Sequence, residues 1–189
     1  MRRLYLDYAA TAPLVAPAAE AMAALMERPP GNPSSPHEDG RRARRAVDEA
    51  RERLCRTIGC EFSELYFTSG GTEAAQMAVV GTALANQNPN RTRVLMGAAE
   101  HPCVLETGRW LARLGYEVEL IPVDREARIE LASLAAALDD DVLLVSVMHA
   151  NNELGSLNPV SEAADLAHRV GAYFHTDAVQ TFLNQVSQA

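Results

Sequence analysis

The chain has 189 residues, 48% of them hydrophobic, with 17 basic side chains against 25 acidic ones and a formal net charge of −8. That length suits one domain with a sizeable core. The acidic balance argues against a nucleic-acid or anionic-membrane partner, and no apolar run approaches the ~20 residues of a membrane span.

A short extended lead-in over 5–8 ends at Ala9-Ala10-Thr11-Ala12-Pro13. A helix is predicted after Pro17, which suits a first-turn position, with Met22, Leu25 and Met26 on one face. The run Pro29-Pro30-Gly31-Asn32-Pro33-Ser34-Ser35-Pro36 excludes helix and central strand and reads as a loop, ordered or mobile. A long helix is predicted over 38–58, with Val47, Leu54 and Ile58 as its apolar stripe. Its basic cluster, Arg41, Arg42, Arg44 and Arg45, reads as a solvated face, because Asp48, Glu49 and Glu52 follow at pairing distance; an anion or RNA patch is the other reading.

From there strands and helices alternate. Strands are predicted at 64–68, 93–97, 116–123, 142–148 and 172–176, and helices at 72–86, 102–114, 131–138 and 159–170. This pattern specifies an α/β fold with a largely parallel sheet and helices on both faces. The continuous apolar run Val142-Leu143-Leu144-Val145 fits a strand buried on both sides. The expected division is a lead-in segment over 1–15, one α/β domain over 16–180 and a polar tail over 181–189. Cys55, Cys60 and Cys103 are odd in number, form no CxxC pair and follow no secretory leader. They read as ordinary thiols of a cytoplasmic protein, and no metal site is expected.

In open α/β sheets ligands gather at the carboxyl ends of strands, and the polar clusters lie there. Thr68-Ser69-Gly70-Gly71-Thr72-Glu73 opens a helix. Its glycines admit an anion, its free N–H groups and dipole favour phosphate, and the Thr72 hydroxyl adds a donor. A plain glycine-rich turn is the alternative. Glu100-His101-Pro102 offers an imidazole either to cap a helix or to lie on an aromatic cofactor and handle protons. His149-Ala150-Asn151-Asn152-Glu153-Leu154-Gly155 supplies an amide pair in a turn. In His175-Thr176-Asp177-Ala178-Val179-Gln180, His175 and Asp177 share parity, and Asp177 is either a cap or the partner of a pyridinium nitrogen.

Together with Tyr5-Leu6-Asp7-Tyr8-Ala9-Ala10-Thr11 and Gly31-Asn32-Pro33-Ser34-Ser35, these motifs resemble the cysteine desulfurases and selenocysteine lyases of the class V aminotransferase family, which are fold type I enzymes dependent on pyridoxal 5′-phosphate (PLP). The resemblance spans about 4–180. It implies that Gly71 and Thr72 hold the cofactor phosphate. It places His101 on the pyridine ring as a proton-handling catalytic group and Asn152 beside the cofactor oxygen and the substrate carboxylate. It pairs Asp177 with the ring nitrogen and Gln180 with the phenolic oxygen. The implied reaction removes sulfur from L-cysteine, giving alanine and an enzyme persulfide, for sulfur transfer or iron–sulfur cluster assembly. The implied assembly is a homodimer that hands sulfur to an acceptor protein.

The sequence also departs from the family. All seventeen basic residues are arginine, so the lysine that binds PLP covalently is absent from these 189 residues. The three cysteines do not match the family's sulfur-accepting position. The resemblance implies a further C-terminal part that carries these groups and adds two strands next to 64–68; without them that segment is expected to lose its neighbours. A catalytically silent PLP-binding or regulatory chain is therefore the reading from another class.

Overall fold

The computed structural model describes residues 4–182. The chain forms two compact units, Met1–Phe67 and Thr68–Ala189. Among the described residues no helix is long and apolar enough to cross a membrane.

The first unit holds α1 (Ala16–Met26), α2 (Glu38–Ile58) and a 3₁₀ turn over Phe62–Glu64. Helix α2 starts where the His37 ring accepts the Gly40 N–H. It carries an Arg44–Asp48 pair at 3.0 Å and an Arg42–Asp39 pair at 2.5 Å. The arginine-rich stretch thus supplies local ion pairs of the kind expected one helical turn apart. The proline-rich loop is ordered against α2: Arg42 donates to the Pro29 carbonyl and Arg41 to that of Pro36. A Cβ at Gly40 would lie 2.2 Å from the Ser35 carbonyl oxygen, so only glycine permits this approach.

The second unit holds α3 (Gly71–Ala85), β1 (Arg93–Gly97), α4 (Pro102–Arg113), β2 (Glu117–Ile121), α5 (Leu131–Ala137), β3 (Val142–Ser146), α6 (Val160–Arg169) and β4 (Tyr173–His175). The four strands form a parallel sheet in the order β2-β1-β3-β4. Helices cover both faces. Ala75 and Val79 of α3 and Val104 and Leu111 of α4 pack on Val94, Met96, Leu143 and Leu144. On the other face, Leu134 of α5 and Ala163 and Ala167 of α6 pack on Leu95, Val145 and Val147. Leu143 and Leu144 share a face because the register slips between Arg93 and Val94, a bulge that leaves one residue of β3 unpaired. At the same end of the sheet Arg93 ties Glu119 of β2 (2.6 Å) to Asp141 before β3 (3.1 Å).

One predicted strand is corrected. Residues 64–68 end the 3₁₀ turn and continue without a strand partner, although Leu65 is extended at φ −104°, ψ 126°. A local preference for extended backbone makes a strand only where a neighbour completes the ladder. The sheet therefore has four strands among the described residues, where five were predicted. The remaining elements lie within a few residues of their predicted bounds. The expected tail lies outside the described residues from 183 onward.

The topology creates a site. Strands β1 and β3 are neighbours, but the chain leaves β1 for α4 on one face and β3 for α6 on the other. Their carboxyl ends diverge there, opening the crevice in which α/β sheets bind ligands.

Candidate active site

Four segments of the second unit meet at that crevice. The first is the start of α3. Gly70 caps it without a side-chain acceptor, and the first intrahelical amide bond is Ala74 N–H to Gly70 O, 3.1 Å. The amides at 71–73 therefore lack helical partners. Glu73 turns back onto the Ser69 N–H at 2.6 Å, and the Ser69 side chain, followed by that N–H, holds its carboxyl below the usual range. A Cβ on Gly71 would meet Val179 Cγ2 at 2.8 Å, so the glycine lets the segment after β4 press against this helix end.

The second segment joins β1 to α4. Glu100 is 5% exposed. It accepts from the Met148 N–H and, at 3.3 Å, from the Ser146 hydroxyl. Burial, with a smaller contribution from the Asp177 charge, pushes its carboxyl up to about 7. His101 caps α4, its Nδ1 accepting the Cys103 N–H at 3.2 Å. The capping reading of His101 thus describes one ring nitrogen, while Nε2 has no partner among the described residues. Burial, and after it the Asp177 charge, pushes the Cys103 thiol up, while the neighbouring Thr72 side chain partly offsets this.

The third segment follows β3. Asn151 Oδ1 accepts the Glu153 and Leu154 amides at 3.0 and 2.9 Å, and its carbonyl accepts the Gly155 N–H at 2.9 Å. Asn151 shapes the turn, then, whereas no group among the described residues bonds the half-buried Asn152 amide. His149 stitches this loop to the fourth segment, donating its N–H to the Asp177 carbonyl (2.9 Å) and meeting Thr181 Oγ1 through Nδ1 (3.0 Å).

The fourth segment follows β4. Asp177 Oδ1 accepts the Val179 N–H at 3.0 Å, and its other carboxylate oxygen has no partner among the described residues. Gln180 lies in the turn closed by Thr181 N–H and Phe182 N–H onto Ala178 O. Behind Asp177, His175 Nδ1 meets Ser146 Oγ at 2.8 Å; burial, partly offset by Asp177, lowers the His175 imidazole.

Val179 on Gly71 brings the segment of Asp177 and Gln180 to the start of α3, and His101 holds Cys103, whose thiol feels both Thr72 and the Asp177 charge. Asn152 belongs to the loop stitched to Asp177 by His149. The supporting set of Glu100, Cys103, Ser146, His149 and Thr181 was not assigned from sequence. Buried Glu100 stood inside a quoted motif, but its partners lie 46 and 48 positions away. The donor set suits a ligand with an anionic end at α3 and a proton-bearing ring nitrogen at Asp177.

The aminotransferase class-V pattern matches residues 4–188. The chain belongs to this family. It is 45% identical over 180 residues to cysteine desulfurase IscS of Dictyoglomus turgidum, covering 95% of this chain and 45% of the relative. It is 43% identical over 182 residues to putative cysteine desulfurase IscS 1 of Bacillus subtilis, covering 96% and 48%. Among solved structures, a NifS-like protein superposes with TM-score 0.90 at 32% identity, over 95% of this chain and 50% of that one. SspA in complex with cysteine gives 0.88 at 31% identity, over 94% and 51%. The chain spans about half the length of the curated relatives it matches. The class V aminotransferases and cysteine desulfurases it resembles are PLP-dependent enzymes, and the parallel α/β sheet with helices on both faces is their fold.

Proposed function

We propose that this chain is the cofactor-cradling part of a cysteine desulfurase-like PLP enzyme that takes sulfur from L-cysteine, leaving alanine and a persulfide for sulfur transfer or iron–sulfur cluster assembly. The observation that carries the reading is that the segment bearing Asp177 packs, through Val179, against Gly71 at the start of α3, so a phosphate cradle and a carboxylate about a hundred positions apart share the β1/β3 crevice. In this reading the free amides of α3, with Gly71 and Thr72, bind the phosphate group. Asp177 orients the ring by accepting its N–H and keeps that proton in place. Gln180 addresses the phenolic oxygen, Asn152 the substrate carboxylate, and His101 covers the ring and moves a proton at Nε2. PLP, when bound, supplies an electron-withdrawing ring that stabilises negative charge at the substrate's α-carbon. The likeness to cysteine desulfurases and to a structure holding cysteine supports this substrate. A cytoplasmic homodimer that passes sulfur to an acceptor protein completes the proposal.

The lysine-free composition favours a second reading for these 189 residues by themselves: non-covalent PLP binding without turnover. Titrating the chain with PLP tests both. Saturable cofactor absorbance that borohydride does not fix to protein is expected. Asp177→Ala removes a charge-assisted hydrogen bond and weakens binding roughly ten- to hundredfold. An unchanged affinity in Asp177→Ala, or no cofactor absorbance in the parent chain, overturns the proposal. Alanine formation from cysteine by these residues overturns the silent reading.

A further inference from the structure

Among the described residues His101 is held at one edge only. Its Nδ1 accepts the Cys103 N–H at 3.2 Å, and Cys103 Sγ lies 2.9 Å from the same nitrogen. A backbone amide can only donate. A neutral imidazole has one acceptor nitrogen and one N–H, so an Nδ1 that accepts leaves the proton on Nε2. The thiol reinforces this. Burial keeps its proton on, and at 2.9 Å its S–H can point at Nδ1. The opposite tautomer would aim an Nδ1–H at an amide N–H.

We propose that Cys103 is a positioning residue that fixes His101 as the Nε2–H tautomer, so that His101 meets a bound molecule as a proton donor through Nε2. Accepting a proton at Nε2 would require His101 first to release the one already there. The identity of the bound molecule rests on the reading above; the tautomer does not. The same thiol lies beside Thr72, the residue proposed to hold phosphate, so the His101 edge and the anion cradle are neighbours.

The test uses the full chain labelled with ¹⁵N-histidine, at a pH where imidazoles are neutral, with two-bond ¹⁵N–¹H correlation spectra. His101→Gln identifies the signal among the five histidines. The parent chain is expected to show Nε2–H over Nδ1–H by at least about ten to one, since each net hydrogen bond contributes about 1 kcal/mol of bias. Cys103→Ser should keep that ratio. Cys103→Pro removes both the amide and the thiol donor at a first-turn position that tolerates proline, and should give a tautomer mixture. Cys103→Ala, which keeps the amide, should fall between. An Nδ1–H or evenly mixed His101 in the parent chain overturns the inference, as does a folded Cys103→Pro with the parent ratio. Should Cys103→Pro not fold by circular dichroism, the parent and Cys103→Ser spectra decide alone. PLP added to the same samples separates the two proposals: no cofactor absorbance with an Nε2–H His101 sinks the proposed function and leaves the tautomer standing.

Discussion

In the first unit only Gly40 and Cys55 are buried among the described residues, whereas the second unit packs two apolar clusters against opposite faces of one sheet. The first is organised by neighbours in sequence: a His37 cap, ion pairs one helical turn apart, and loop carbonyls held by Arg41 and Arg42. The second is organised by contacts across tens of residues, such as Ser146 and Met148 onto Glu100. All six residues assigned to cofactor or catalysis fall in the second unit. A site that must hold groups in fixed relation is built where long-range packing fixes them, since a lone helix is held mainly by its own turns.

The largest effect that would sharpen this contrast is in the core. Leu95 is fully buried in the sheet, while Leu25 on α1 is 52% exposed. Leu95→Ala should cost about 2–5 kcal/mol in urea unfolding, and Leu25→Ala less than about 0.5 kcal/mol. Equal losses would erase the distinction.

Next comes Glu100, whose carboxyl is raised to about 7 in the folded chain. The unfolded carboxyl ionises near 4.3, so between that pH and about 7 the unfolded state binds fewer protons than the folded one. Stability should therefore fall as pH rises through this window, by on the order of 3 kcal/mol, and level off above it. Glu100→Gln should flatten that slope in denaturation curves taken from pH 4.5 to 7.5; an unaltered slope would assign it elsewhere.

A smaller effect is expected where the segment after β4 meets α3. Gly71→Ala sets a methyl against Val179 and should destabilise by about 1–3 kcal/mol, with PLP absorbance falling in parallel. Val179→Ala in the same chain should restore part of both. The smallest effect belongs to the first unit. Arg44→Ala removes an exposed ion pair to Asp48, and the melting curve should shift by less than about 0.5 kcal/mol, less still in high salt.

The sequence by itself determined the alternation of helices and strands, because apolar period and glycine or proline punctuation are local properties. It also held the motifs whose resemblance to the family implies roles for Gly71, Thr72, His101, Asn152, Asp177 and Gln180, while the turn and cap chemistry of each short run left those roles open. It could not decide 64–68, where Leu-Tyr-Phe-Thr favours extended backbone but a strand needs a partner. Nor could it divide the work of the Asn151-Asn152 pair, which depends on which amide the turn consumes. Only the tertiary structure showed that buried Glu100 collects Ser146 and Met148, and that Cys103 stands between Thr72 and His101. Those relations depend on the β1/β3 neighbourhood and on the crossovers that carry α4 and α6 to opposite faces. Periodicity encodes which face a residue takes, but not which distant strand lies beside it.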